Sequence, residues 1–259
     1  MASLGKLISD LNSDSFENTI LEWLKYFLTI DSMAILAYLN DRPPQVLFKH
    51  ATLPQVHEDL ETTYASAAYL LDPFYSLHVD RSAPGLYALS KVVPDQFKRT
   101  EYYTAYYQRT LVIDELVYVV FPSANVSVHI SIGRVAPLGR RFSTRDITTA
   151  EYLAPVICAL GTQHWASLKT VDEKGEVTLS EALRERLENE RNIALTKRQA
   201  EVALLVLRGH SSVSIGLRLG ISEQTVKVFR KQFYRKCGIS SQAELFSMMI
   251  PILSKIVEV

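Results

Sequence analysis

The stretch LTKRQAEVALLVLRGHSSVSIGLRLGISEQTVKVFRKQFYRKCGISSQAEL, Leu195–Leu245, reads as three helices joined by two tight turns. Thr196 is placed to cap a helix whose Ala200, Ala203, Leu204 and Leu207 form an apolar stripe at spacings 0, 3, 4 and 7, ending at Gly209. A short helix follows over about 213–219. Gly220-Ile221-Ser222 supplies a turn, and Ser222 caps a longer helix to about Lys236. A short helix, a turn and a longer helix make the helix-turn-helix arrangement.

The third helix is two-sided. Val226, Phe229 and Phe233 share one sector, while Gln224, Lys227, Val228, Lys231 and Arg235 fall opposite at spacings 0, 3, 4, 7 and 11. One face packs and the other is free. Base edges in a major groove are read by long donors such as Gln and Lys, and phosphates by cations around them. Here those cations are Arg230, Lys236 and the Lys197-Arg198 pair. Beyond the third helix, 242–257 carries Leu245, Met248, Met249, Ile252 and Ile256 on one side and Phe246, Ile250, Leu253 and Val257 on another. One face can pack on the helix-turn-helix. The second is buried either against the same helix of a second chain or against the linker or N-terminal domain, and Pro251 kinks or ends the helix.

Working outward, the 259 residues hold 28 Lys plus Arg and 28 Asp plus Glu, a net charge of zero that conceals two opposite segments. Residues 195–259 carry 10 basic and 4 acidic side chains, net +6, and residues 1–194 carry 18 and 24, net −6. A compact basic module attracts phosphate backbones. An apolar content of 47% supplies a core for each part and excludes a wholly disordered chain. Cys158 and Cys237 form no CxxC pair or His/Cys cluster, which predicts neither a metal site nor a disulfide framework and fits a reducing cytosol. The N-terminal MASLGKLISDLNSDSFEN lacks a signal-peptide apolar core, and the longest apolar stretch, 33–39, is far below the roughly 20 residues that span a bilayer. A cytoplasmic location, with no membrane partner, is expected.

The C-terminal residues resemble the LuxR-type helix-turn-helix of bacterial transcription regulators over about 60 positions from Leu195. The resemblance rests on Leu195-Thr196, Glu201-Val202, Gly209, Ile215, Leu219, Ile221-Ser222, Thr225-Val226-Lys227 and Lys236 before Gly238. It implies a four-helix DNA-binding domain in which Lys227, Val228 and Lys231 face the bases and Thr225 with the flanking cations holds phosphates. The DNA-contacting set expected is thus Thr196, Lys197, Arg198, Ser222, Gln224, Thr225, Lys227, Val228, Arg230, Lys231 and Arg235. It further implies a homodimer, partly through the last helix, on a palindromic site in double-stranded DNA. The chain departs from the family at Gln199, Gly216, Phe229 and Cys237, where Glu, Ala, His and Leu are usual. Gly216 inside a helix costs about 1 kcal/mol against Ala.

The remainder reads as an α+β domain over 1–168 and a partly helical linker over 169–194. Residues 14–29 place Phe16, Ile20, Trp23, Leu24 and Phe27 on one helical face behind Asp14 or Ser15 as cap. Strands are expected over 33–39 and 46–48, separated by Asn40-Asp41-Arg42 and Pro43-Pro44. Helices are expected over 55–70 and 95–108, with irregular chain and an Ala83-Pro84-Gly85 turn between them. Strands over 116–121 and 126–132 flank a turn at 122–125, and a capping box at Ser143 opens a helix to about Trp165 containing Pro155. Together these predict an antiparallel sheet with helices packed around it, an α-β-α sensor-like domain.

That domain resembles the PAS, GAF and autoinducer-binding sensors that bind small molecules. Its most specific piece is Tyr69-Leu70-Leu71-Asp72-Pro73-Phe74-Tyr75, similar to the Asp-Pro segment whose Asp meets the ligand amide in autoinducer-binding domains. The upstream tryptophan is missing, Thr63 standing there with Tyr64 beside it, so an effector other than an acyl-homoserine lactone is expected. Asp72 is equally readable as an Asp-Pro turn former. Ten of the 25 aromatics fall within residues 64–107, and tyrosines suit either an apolar pocket that must orient a ligand or a core with its hydroxyls at the rim. Ser127, His129 and Ser131 share a strand face that either leaves cavity space or meets solvent. The candidate effector set is Tyr64, Asp72, Tyr75, Tyr102, Tyr106 and His129. An interaction module without a pocket, or an enzyme using His78, His129 or Asp114-Glu115, are the alternatives. With no GxSxG, P-loop or GxGxxG, no cofactor and no catalysis are expected.

Overall fold

The structure, a computed structural model, describes residues 3–39, 42–168 and 178–257. In chain order its helices are α1 (Leu4–Ser9), α2 (Phe16–Lys25), α3 (Tyr75–Val79), α4 (Leu89–Val92), α5 (Glu101–Ala105), α6 (Thr144–His164), α7 (Leu179–Arg191), α8 (Lys197–Arg208), α9 (Ser212–Leu219), α10 (Glu223–Cys237) and α11 (Gln242–Val257). The strands are β1 (Ser32–Leu39), β2 (Arg42–Ala51), β3 (Gly85–Ala88), β4 (Val112–Ser123) and β5 (Val126–Val135). Two compact units result. One comprises 1–65, 74–92 and 109–173; the other comprises 66–73, 93–108 and 174–259.

In the first unit the strands form an antiparallel sheet in the order β2-β1-β5-β4-β3. Val126, Val128, Ile130 and Ile132 of β5 lie level with Leu39, Ala37, Ile35 and Met33 of β1, and this face packs on α2 and α6. Phe16, Ile20 and Leu24 of α2 and Ala150 and Ile157 of α6 are fully buried in that core. Period-2 alternation therefore splits β5 as expected: aliphatics on the helix-covered face, Ser127, His129 and Ser131 on the other.

Several local expectations are corrected. The first long helix ends at Lys25 rather than 29, Ser15 makes no side-chain cap, and Phe27 at its foot is exposed. Pro43 and Pro44 lie inside β2, not in a loop; β2 is an edge strand with a register irregularity there, where a missing N–H is tolerated. Asn40 and Asp41 of that loop lie outside the described residues. The 55–70 helix is three short turns, 54–57, 60–64 and 68–71, each fixed by its own buried side chains, Val56, Leu60 with Tyr64, and Tyr69–Leu71. The 95–108 helix is broken by Thr100, which is extended (φ −81°, ψ 151°) and caps α5 instead. Strand β3, only four residues long, carries too little alternation to be read from the sequence. The β4–β5 turn is tighter than 122–125, since Ser123 pairs with Val126. Helix α6 follows the expected capping box and runs through exposed Pro155.

The second unit holds the helix-turn-helix and more. Residues 169–177 of the linker are outside the described residues, but 179–191 is α7, with its own capping box at Thr178 and with Leu183 and Leu187 fully buried. It packs on α8 and α11, so it belongs to the helical unit rather than to a loose connection. Helix α11 continues through Pro251, buries Leu245, Met249, Ile252 and Leu253, and meets α7, α8 and α5. Part of its second apolar side is thus covered within the chain; the Val257 side chain is outside what is described.

Candidate nucleic-acid interface

The helix-turn-helix is held by its caps. Thr196 Oγ1 accepts the Gln199 N–H at 3.2 Å, and the Thr196 N–H returns to Gln199 Oε1 at 3.1 Å. Ser211 and Ser222 cap α9 and α10 in the same manner, accepting from Ser214 and Thr225. Val226 and Phe233 of α10 are fully buried, against a core that includes Ile215 of α9 and Ala200 and Ala203 of α8. Phe229 is only half-buried.

With that face consumed by packing, Gln224, Lys227, Val228, Lys231 and Arg235 are all exposed on one side of α10. Val228 is 44% exposed, an apolar side chain among cations. Among the described residues Lys231 and Arg235 enter no ion pair. Lys227 pairs with Glu223 at 2.7 Å, both ends exposed, so the pair is worth little and yields readily to another anion.

The outlying cations divide. Arg230 donates to Tyr234 Oη at 3.3 Å and stacks over its ring at 5.3 Å. Arg198 pairs with Glu201 at 2.8 Å, and Lys197 with Glu181 of α7 at 2.9 Å. The Lys197 bond is the main reason the Glu181 carboxyl is pulled down to about 2, and it holds the lysine above its ordinary range. Lys236, read from the sequence as a phosphate cation, is exposed but engaged within the chain: its Nζ donates to the Ala194 carbonyl at 2.7 Å and to Gln199 Oε1 at 3.0 Å. Gln199 Nε2 also donates to Gln232 Oε1 at 2.9 Å, so this buried residue joins the starts of α8 and the end of α10. Glu223 and Tyr234 were missed in the sequence, although the i, i+4 spacings to Lys227 and Arg230 were there to be read.

Of the effector candidates, Tyr64, Tyr75 and His129 belong to the sheet-bearing unit, where Tyr38 gathers them. The Tyr38 and Tyr64 hydroxyls are 2.6 Å apart, and the Tyr38 ring lies 5.3 Å from Tyr75 and 4.6 Å from His129. His129 Nε2 is 3.1 Å from Ser127 Oγ, which is 2.8 Å from His78 Nδ1. His129 is 2% exposed, and its Nδ1 has no hydrogen-bond partner among the described residues. Burial, then the neighbouring His78, pushes its pKa down to about 3, so the ring is neutral. Ser127 and His129 on the polar strand face are therefore buried, while Ser131 is half-buried. Ser131 bonds Glu115 on the same face. Tyr102 and Tyr106 stack on each other at 5.6 Å in the helical unit, where Asp72 ends the 68–71 turn with its N–H on the Tyr69 carbonyl. Open hollows of about 390 Å³ beside 25–30 and about 500 Å³ beside 81–84 touch none of the candidates. Asp114 accepts the Phe142 N–H at 3.0 Å. Among the described residues no His, Cys, Asp and Glu cluster could hold a metal, and no helix is long and apolar enough to cross a membrane.

Residues 194–249 match the family described as bacterial regulatory proteins, luxR family. The segment is a luxR-family helix-turn-helix domain. The chain is 25% identical over 184 residues, 69% of its length and 93% of the relative's, to a provisionally named HTH-type transcriptional regulator in the exeN 3′ region of Aeromonas salmonicida. Among solved structures it resembles the VqsR LBD domain from Pseudomonas aeruginosa, 28% identical with TM-score 0.54 over 64% of this chain and 96% of that one. Escherichia coli SdiA aligns over 95% of this chain and 94% of its own at 14% identity and TM-score 0.41. In the luxR-family domain of this chain the position where Ala is usual is a glycine closely approached by the following turn. A Cβ at Gly216 would lie 2.7 Å from the Ile221 carbonyl oxygen.

Proposed function

We propose that this chain is a cytoplasmic, sequence-specific DNA-binding transcription regulator gated by a small effector. In this reading α10 enters the major groove, Gln224, Lys227 and Lys231 meet base edges, and Val228 meets a thymine methyl. Thr196, Lys197, Arg198, Ser222, Thr225, Arg230 and Arg235 lie along the flanking phosphates. The observation that carries it is the exposed face of α10, five side chains deep, held outward by the burial of Val226 and Phe233 behind it. The luxR-family match over 194–249 supports the same reading. A homodimer would place two such helices on a palindrome.

The effector part draws on the polar cluster of buried Tyr38, Tyr64, Ser127 and His129 with half-buried Tyr75, and on the likeness to a structure named as an LBD domain. An effector need only bind the DNA-competent arrangement better than the other to switch the protein.

The test is selection of duplexes from a random pool by the full-length protein, followed by binding titrations on the selected sequence. Enrichment of a palindrome, with affinity reduced in Lys231→Ala, is expected. A pool that stays random, with Lys231→Ala binding as wild type, would overturn the reading. Native mass spectrometry of the same preparation reads subunit number and any bound small mass together.

A further inference from the structure

Gln199 is 4% exposed, and both ends of its amide are committed. Its Oε1 accepts from the Thr196 N–H at 3.1 Å and from Lys236 Nζ at 3.0 Å, and its Nε2 donates to Gln232 Oε1 at 2.9 Å. A backbone N–H and an ammonium can only donate, so they fix which end of the Gln199 amide is the oxygen. The other end must then be the NH2, and the atom it meets on Gln232 must be the carbonyl oxygen. The Gln232 NH2 is thereby directed away from Gln199. Among the described residues Gln232 Nε2 makes no hydrogen bond. Gln232 is half-buried, one step round α10 from exposed Lys231 and within about a turn of exposed Val228 and Arg235.

We propose that Gln232 is a further contact to a DNA phosphate and that Gln199 is its positioning residue, holding the Gln232 amide with its NH2 outward. The inference rests on the DNA-binding reading above and adds a residue to that interface. Gln232 lies between the outward face of α10 and the first turn of α8, where Thr196, Lys197 and Arg198 lie along phosphates in that reading. A phosphate oxygen accepts and does not donate, so only the NH2 end of an amide can bond it. An amide already held in that orientation loses little freedom on binding. Glu, the residue usual at position 199 in the family, would do the opposite. Its carboxylate accepts from Thr196 and Lys236 as the glutamine does, but it also accepts at the end facing α10. The Gln232 amide then turns over to donate inward, and its oxygen faces the phosphate.

The experiment is a double-mutant cycle in the full-length protein, with Kd measured on a short duplex of random sequence at low salt, where phosphate contacts dominate. The variants are Gln199→Glu, Gln232→Ala and the two combined, each melted first so that all are titrated at a temperature where they are folded. Gln232→Ala is expected to bind about three- to tenfold more weakly than wild type. Gln199→Glu alone is expected to lose at least as much. In the Gln232→Ala background, Gln199→Glu is expected to lose only about twofold, the part due to its added charge, and that remainder shrinks as salt rises. An equal loss in both backgrounds would be an effect of charge alone and would overturn the positioning role. Gln232→Ala binding as tightly as wild type would overturn the contact, and in both of these cases DNA binding stands. If wild type binds no duplex, the DNA reading falls and the contact with it.

Discussion

The Ile221 carbonyl oxygen stands 2.7 Å from where a Cβ would sit on Gly216, and the Ile221 N–H donates to the Gly216 carbonyl at 3.0 Å. The α9–α10 turn is thus folded directly onto the backbone of α9. By helix propensity alone, Gly216→Ala should stabilise; here the close approach reverses the sign. Gly216→Ala is expected to destabilise the helical unit by about 1 to 3 kcal/mol, the usual cost of overpacking. Thermal denaturation of the two proteins checks it, and a raised Tm would contradict the turn geometry.

On α10 the cations of the outward face are predicted to differ from Lys236, whose ammonium is bonded to Ala194 and Gln199. Lys227→Ala or Lys231→Ala is expected to weaken operator binding by about 1 to 3 kcal/mol if each meets a base edge, with Tm nearly unchanged.

Lys236→Ala is expected to do the reverse. Its ammonium holds the Ala194 carbonyl and Gln199 Oε1, so its loss lowers stability by about 1 to 2 kcal/mol. Operator affinity measured under folding conditions should fall less than for Lys231→Ala. Paired titration and melting data separate the two.

His129 makes stability depend on pH. Its folded pKa, about 3, lies below the ordinary histidine value near 6.5. Above 6.5 the ring is neutral folded or unfolded and costs nothing. As pH falls through 6.5 the unfolded chain takes up the proton first, so stability drops by up to about 1.4 kcal/mol per unit until the folded ring protonates. His210, pushed down to about 4 by burial and then by Arg218 and Arg208, acts in the same sense. Melting curves between pH 7 and pH 5 should show a steeper decline for wild type than for His129→Gln.

The C-terminal module was legible because its signals are local. Caps at Thr196 and Ser222, the Gly209 and Gly220 stops, and the stripe of Ala200, Ala203, Leu204 and Leu207 each depend on residues within one or two turns. The same holds for the Ser143 capping box and the alternation along β5. The middle of the chain was less legible: 55–71 and 95–110 break into single turns whose conformation follows from what each buries, not from a repeating stripe.

By itself the sequence determined the α+β class, the basic helix-turn-helix with its exposed α10 face, and the division of β5 into an aliphatic and a polar side. These follow from side-chain periodicity and capping, which act over a few residues. Only the tertiary structure decided that the exposed Lys236 bonds the Ala194 carbonyl and Gln199, that Ile221 crowds Gly216, that α7 joins the helical unit, and that residues 93–108 pack with the helix-turn-helix rather than with the sheet. Each of those depends on backbone approaches between residues far apart in the chain, where steric fit and the pairing of buried N–H and carbonyl groups, rather than local pattern, set the outcome.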